Sequence, residues 1–269
     1  MHIIIQDPSL KPKYKKQKKI KSPSQSFLDQ IANKTLEIPD FLQLCHQDEK
    51  LRDFHLDHLS LDFLRTIGMD LAIQDQKVFL HPKITHIQDQ LFCFVDLETT
   101  DGNPLKGNLL EIGAILCNGK GEILGRFEHL VKNTTIPPIV TQITGISLDD
   151  VANALEVQEV LQQFRAFIGT SIFVAHNVNF DYIFLDSLYL KHFGIGLYNQ
   201  TLCTLKMAQK CIQAPRYSLD FLNQFLEIQT PISHRAYADA LTCKEVFLRC
   251  LNKLPSKNTQ NVLNWLKHK

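Results

Sequence analysis

The stretch FCFVDLETTDG, Phe92 to Gly102, decides the fold. Side chains alternate faces along a strand, so Phe94, Asp96 and Glu98 point one way while Cys93, Val95 and Leu97 point the other. Two carboxylates therefore share one face of an apolar strand. Inside a sheet that face is partly dry, and two like charges close together raise the pKa of one of them strongly. Two readings follow. Either a divalent cation holds the acids ionised, since Mg²⁺ prefers hard oxygen ligands and binds through carboxylates and substrate phosphate, or the acids are solvated at a strand end and Thr99-Thr100-Asp101-Gly102 is simply a turn.

Downstream of this strand the pattern alternates. Leu109 to Cys117 and Glu122 to Val131 read as strands joined by the turn NGKG, which marks a hairpin. Helices are expected over Val157 to Ile168, Val178 to Leu190, Ser218 to Leu226 and Ala236 to Leu251, with short strands at Ser171 to Ala175 and near Leu202. Three meander strands followed by alternating helices and strands predict an α/β domain with a mixed sheet.

Upstream the pattern differs. Residues 1–22 carry seven lysines against the single acid Asp7, the composition of a solvated, disordered arm that can also touch phosphate. SPSQS then caps a helix in FLDQIANKTL, IPDFLQLC follows, LSLDFLRTIGM forms a third helix ending at Gly68, and DLAIQDQKVFLHP alternates like a hairpin. Three short helices and a hairpin predict a small, mainly helical, winged-helix-like module. His55 and His58 with Asp57 and Asp62 look like metal ligands only superficially, because no further ligand cluster accompanies them; the polar start of a helix accounts for them. The expected division is a basic arm (1–24), the module (25–88), an α/β domain (89–252) and a short tail (253–269) whose NTQNVLNWLKHK helix either packs back or docks a partner.

The composition, 44% hydrophobic and 21% charged over 269 residues, is that of a soluble globular chain. No apolar run approaches the roughly 20 residues that span a bilayer, and MHIIIQDPSLK has no signal-peptide pattern, so no membrane partner and a cytoplasmic location are expected. The seven cysteines form no CxxC pair and read as buried free thiols.

Two further acids stand against apolar surfaces. Asp239 lies in the stripe Ala236, Ala240, Cys243, Val246, Phe247 and Cys250, where an unpaired carboxylate is expensive. His234, five residues earlier, is about 140° away on a continuous helix and fits better on the loop leading into it. In VAHNVNFDYIFL, Asn177 and Asp181 lie one turn apart beside the apolar face of Phe180, Ile183, Phe184 and Leu188.

Together these residues carry a resemblance. Asp96-Leu97-Glu98, Asn177 to Asp181 and His234 to Asp239 resemble the three motifs of the DEDD exonuclease superfamily, in the branch with a histidine in the third motif, and most resemble its epsilon-type proofreading subunits. Gln142 to Ile146 resembles the substrate-wedging segment of that family, and Tyr217-Ser218-Leu219 the step before its penultimate helix. The resemblance covers residues 91–251. It implies a ribonuclease-H-like fold and a 3′-to-5′ exonuclease with two Mg²⁺ or Mn²⁺ ions held by Asp96, Glu98, Asp181 and Asp239, with His234 as general base. Thr99 and Thr100 would hold the terminal 3′-hydroxyl, Thr144, Gly145 and Ile146 would meet the last base, and His176 and Asn177 would orient substrate or acid; turn chemistry or helix capping explains these lesser positions equally well. The implied partners are single-stranded DNA 3′ ends and the catalytic subunit of the replicative DNA polymerase. An RNA-trimming or repair exonuclease, or an inactive scaffold subunit, remains as an alternative.

Overall fold

The computed structural model describes residues 23–54, 61–230 and 234–267. The lysine arm through Ser22, together with His55, Asp57 and His58, lies outside the described residues.

The chain first forms α1 (Pro23–Ile31), β1 (Leu36–Glu37), α2 (Ile38–Gln47), α3 (Leu61–Thr66), β2 (Leu71–Gln74) and β3 (Lys77–Leu80). Helix α1 starts four residues earlier than the apolar run suggests, because Pro23 is tolerated in a first turn where its missing N–H has no partner to lose. It also stops earlier, since Leu36 is taken into β1, which pairs with β3 through Leu36 and Val78. Asp75 and Gln76 both have positive φ, 50° and 61°, the tight reversal that joins twisted strands. The small antiparallel sheet has the order β1-β3-β2, so the expected helices and hairpin carry one added strand.

The larger part contains β4 (Leu91–Thr99), β5 (Leu109–Asn118), β6 (Ile123–Leu130), α4 (Pro138–Thr144), α5 (Leu148–Val151), α6 (Val157–Ile168), β7 (Ile172–Ala175), α7 (Asn179–Phe193), β8 (Thr201–Cys203), α8 (Thr204–Cys211), α9 (Leu219–Phe225), α10 (Ala236–Cys250) and α11 (Thr259–Lys267). Its five strands have the order β6-β5-β4-β7-β8, antiparallel through β4 and parallel from β4 to β8. Strand β4 is central, which explains its unbroken apolar run. Cys93, Val95 and Leu97 pack with Phe164 of α6 and Leu185 of α7 on one face. Phe92 and Phe94 pack with Phe247 of α10 and, through the same core, Leu263 of α11 on the other. Asp96 and Glu98 continue the Phe92–Phe94 row, on the α10 side. The tail helix α11 packs back on the domain, burying Val262, Leu263 and Leu266, and all seven cysteines are buried free thiols.

The two parts share a core: Ile195 and Tyr198, which follow α7, are buried with Phe27, Phe41 and Leu64 of the first helices. Arg165 of α6 donates to the carbonyls of Ile67 (2.7 Å) and Gly196 (2.9 Å) and lies 4.2 Å from the Tyr189 ring centre. The Tyr198 N–H donates to the Ile67 carbonyl at 2.9 Å. Gly68, at φ +110°, closes this junction, and a Cβ there would lie 2.1 Å from Asn199 Oδ1 and 3.0 Å from the Asn199 backbone nitrogen. Gly68→Ala is therefore expected to destabilise the protein by about 1–3 kcal/mol, through both the clash and the left-handed backbone. Denaturant unfolding checks this; an unchanged midpoint would show that the junction yields without cost.

Candidate active site

Five acidic side chains meet at the end of β4. Asp96 pairs across the sheet with Gly113 and Glu98 with Glu111, both on β5. At Gly113 a Cβ would lie 2.1 Å from the Tyr237 nitrogen and 2.2 Å from the Ala236 carbonyl carbon, so the first turn of α10 rests directly on the strand. Only glycine admits that approach. Asp239, in that first turn, is thereby brought beside Asp96 and Glu98. Helix α7 reaches the same place from the opposite face of the sheet. Asp181 lies in its first turn, 3% exposed, with its own backbone N–H and that of Leu97 favouring its charged form.

His234 precedes α10 in left-handed backbone, φ 62°, on the loop leading into the helix. Its backbone N–H donates to Asp239 Oδ2 at 3.0 Å, and its Nε2 is 3.8 Å from Asp220 Oδ2. One donor atom from each of Glu98, His234 and Asp239 falls within 4.8 Å of the others. Four of the five predicted catalytic residues, Asp96, Glu98, Asp181 and Asp239, thus form one cluster of mutually repelling carboxylates, with His234 at its rim.

Glu111 and Arg235 escaped the sequence reading. Glu111 is fully buried, and Arg235 donates to it three times, from Nε at 3.1 Å to each oxygen and from Nη2 at 2.6 Å to Oε1. The Ala236 N–H adds a bond of 2.9 Å to Glu111 Oε2. This pair fastens the start of α10 to β5. The signal was available, since LLEIGAILC places an acid in an apolar strand just as FCFVDLE does.

The lesser positions fare differently. The β4–β5 register shifts between Glu98 and Thr99, a bulge of the kind that re-aims a strand end beside a site. Thr100 and Asn108 exchange two bonds, at 2.9 and 2.8 Å, that close the loop after β4. Gly145 caps α4 at φ 71°, and Thr144 Oγ1 accepts the Ile146 N–H at 3.1 Å. Ile146 is 3% exposed, packed with Leu110 and Val151, so its side chain is not free to meet a base; Ile143, 52% exposed, is the open apolar residue of that segment. The His176 ring spans Thr204 Oγ1 (3.0 Å) and the Tyr217 carbonyl (2.7 Å), engaged with protein at both nitrogens. Asn177 takes φ 74° and its carbonyl accepts the Phe180 N–H, so it turns the chain from β7 into α7.

Burial, and then the surrounding acids, set the protonation of the cluster. Burial followed by the charges of Asp181, Asp239, Glu98 and Glu111 pushes Asp96 far above the usual carboxylate range. Burial with Asp239 and Glu111 pushes Glu98 up to about 7, despite Arg235. Burial pushes Asp181 up to about 8, against the pull of the Asp181 and Leu97 backbone N–H groups, and Asp239 up to about 6, against the His234 N–H. An all-oxygen donor set that resists ionisation on its own fits a hard divalent cation such as Mg²⁺ or Mn²⁺, whose charge would remove the penalty. Because these carboxyls hold protons to higher pH in the folded than in the unfolded chain, where carboxylates titrate near pH 4, the folded state binds the excess protons. Stability of the metal-free protein is then fullest at acid pH and falls as pH rises from about 4 to about 8. Melting of chelated protein at pH 5 and pH 8 should show the loss, and added Mn²⁺ should raise the pH 8 melting temperature more than that at pH 5. A pH-independent response to metal would contradict the geometry.

Comparison with known proteins gives the family. A family model described as exonuclease, of the RNase T type, matches residues 93–247, from β4 into the last turn of α10. DNA polymerase III subunit epsilon of Aquifex aeolicus is 31% identical over 179 residues, which cover 64% of this chain and 88% of that protein. The PolC-type DNA polymerase III of Thermotoga maritima is 36% identical over 162 residues, 60% of this chain but 12% of the polymerase; the chain spans about an eighth of such relatives. Among solved structures, an exonuclease X in complex with 5′-overhanging duplex DNA superposes with a TM-score of 0.51 at 23% identity, covering 64% of this chain and 99% of that one, a likeness of fold. The match runs over more than half of the sequence and encloses every acid of the cluster, and so the chain belongs to the RNase T exonuclease family.

Proposed function

We propose that the protein is a metal-dependent 3′-to-5′ exonuclease that removes nucleoside 5′-monophosphates from single-stranded or frayed DNA ends, proofreading beside a replicative polymerase in the cytoplasm. The convergence of Asp96, Glu98, Asp181 and Asp239 from three separate chain segments carries this reading. The epsilon and PolC-type names of the relatives support the polymerase association and the DNA substrate.

In this reading the four carboxylates hold two Mg²⁺ or Mn²⁺ ions, which when bound supply charge stabilisation to the attacking and leaving oxygens of an in-line displacement. His234, held at the rim by its backbone bond to Asp239, takes the proton of the attacking water. The new bond joins that water oxygen to phosphorus, the P–O3′ bond breaks, and the departing O3′ takes a proton from solvent water to become the strand's new 3′-hydroxyl. Thr99 and Thr100, at the bulged end of β4, are positioned for the terminal hydroxyl, and Thr144 and Gly145 border the terminal nucleotide. His176 and Asn177 act at one remove, by fixing the turn into α7 and the approach to α9. In the same proposal residues 25–88 serve as a module joined to an exonuclease domain over 89–252.

Purified full-length protein with 5′-labelled single-stranded DNA should shorten it stepwise in Mg²⁺ or Mn²⁺ and not in chelator. Asp96→Ala should cost more than about 1000-fold in rate, because the removed group acts together with the rest of its cluster. Equal or better trimming of matched RNA would move the substrate to RNA, and no metal-dependent shortening of either strand by folded protein would remove the exonuclease assignment for this chain.

A further inference from the structure

Two aromatic rings near the cluster belong to none of the apolar cores. Phe221 and Phe225, one turn apart on α9, stack on each other with centroids 5.5 Å apart and planes 21° from parallel, and Phe225 is 46% exposed. The same helix buries Leu222 against Ala208 and Val246, so the phenylalanines are not what fastens it.

Helix α9 is joined to the site on three sides. Asp220, the neighbour of Phe221, has its carboxylate 3.8 Å from His234 Nε2. The Tyr217 carbonyl, just before the helix, is bonded by His176 at 2.7 Å. Asn223 donates from Nδ2 to the Thr230 carbonyl and accepts the Thr230 N–H, both at 3.2 Å, holding the chain that leads on towards His234. Arg216 lies exposed immediately before the helix and adds positive charge. The helix whose Asp220 carboxylate lies 3.8 Å from His234 Nε2 thus carries an aromatic surface, with a cation three residues before its start.

We propose that Phe221 and Phe225 form a stacking platform for an unpaired base of the substrate strand, 5′ of the scissile bond, with Arg216 as its electrostatic companion. The proposal rests on the exonuclease reading above and adds how an inner nucleotide is held. An unpaired base is favoured over a protein partner by scale, since two rings on one short helix fall far below the roughly 800 Å² that each side of a stable protein interface buries. It is favoured by chemistry too. Every base has a π-face, so stacking on aromatic rings grips a single strand without reading its sequence, as a nuclease that consumes any sequence requires.

The test measures binding rather than turnover. In an Asp96→Asn background, affinity for a fluorescent single-stranded DNA oligonucleotide should fall about 10-fold on Phe225→Ala, the scale of one lost base stack. Phe225→Tyr should restore it, whereas Phe225→Leu, which keeps apolar area without a π-face, should not. Oligonucleotides with single abasic positions should show one position at which the background protein and its Phe225→Ala derivative bind alike, and that position identifies the stacked base. Equal affinities for Ala, Leu and Phe at 225, or a deficit insensitive to abasic sites, would overturn the platform. So would an unchanged strand affinity accompanied by loss of a polymerase subunit from the protein, which would assign the rings to a partner. Metal-dependent shortening by wild-type protein, assayed in parallel, reports separately on the exonuclease reading. Circular dichroism and thermal melting of each variant exclude unfolding as the cause of any loss.

Discussion

Charge repulsion in a confined space is the constraint to which this structure answers. Asp96, Glu98, Glu111, Asp181 and Asp239 crowd the end of β4, and each of the first two has its carboxyl pushed up by burial and by the others. Glu111 differs from the rest in having its own cation. With Arg235 forked onto it and the Ala236 N–H completing its bonds, it is a neutralised structural joint between β5 and α10. The same joint fixes where Asp239 stands. One acid is thus given up to architecture, and four remain whose repulsion is unrelieved by the chain's own side chains except at the rim, where Arg235 and His234 lie. That asymmetry separates a structural carboxylate from those suited to hold a cation more sharply than burial alone does.

The cluster exists only because two faces of one strand are used at its end. Asp96 and Glu98 face α10, while Leu97 between them turns its side chain into the α6–α7 core and its backbone N–H to Asp181. A central strand is needed for both contacts, and β4 is the one flanked on each side by another strand while exchanging an antiparallel neighbour for a parallel one. Gly113 completes the arrangement by letting the α10 backbone touch the sheet. Any side chain at that position would lift the first turn of α10, and with it Asp239, away from Asp96. The third acidic segment therefore depends on a residue with no chemistry of its own.

Much of this was legible in the sequence, and the parts that were not share a cause. The apolar alternation around Phe92, the NGKG hairpin and the helical stripe before Cys250 report burial on one local period, and the sheet meander and α10 follow from them. Strand β1, two residues long, has no period to detect and exists because β3 offers it a partner. Gly113 and Arg235 could not be singled out because their meaning lies in a contact between segments more than a hundred residues apart. Ile146 shows the opposite error: its place in a familiar-looking segment suggested a wedge, whereas the chain direction set by left-handed Gly145 turns it into the Leu110–Val151 cluster and leaves Ile143 outward.

The first helices belong to the same argument. The described residues between 23 and 83 form a small helical and antiparallel unit, and this stretch of sequence carries ten acids against six bases. Its contacts fall on the β8 edge of the larger sheet and on α6, α7 and α11. Tyr182, which follows Asp181, is buried; its hydroxyl bonds the Leu197 carbonyl and lies 3.3 Å from Ser24 Oγ at the start of α1. Lys267 of α11 reaches Asp29 of α1 at 2.5 Å, and Asn264 reaches Asn33 at 2.8 Å. Helix α7 is therefore touched from behind by this unit while its first turn presents Asp181 to β4. A carboxylate that others repel stays in place only if its helix is held, and α7 is held by the β4–α6 core around Leu185 and touched from the other side at Tyr182 by Ser24.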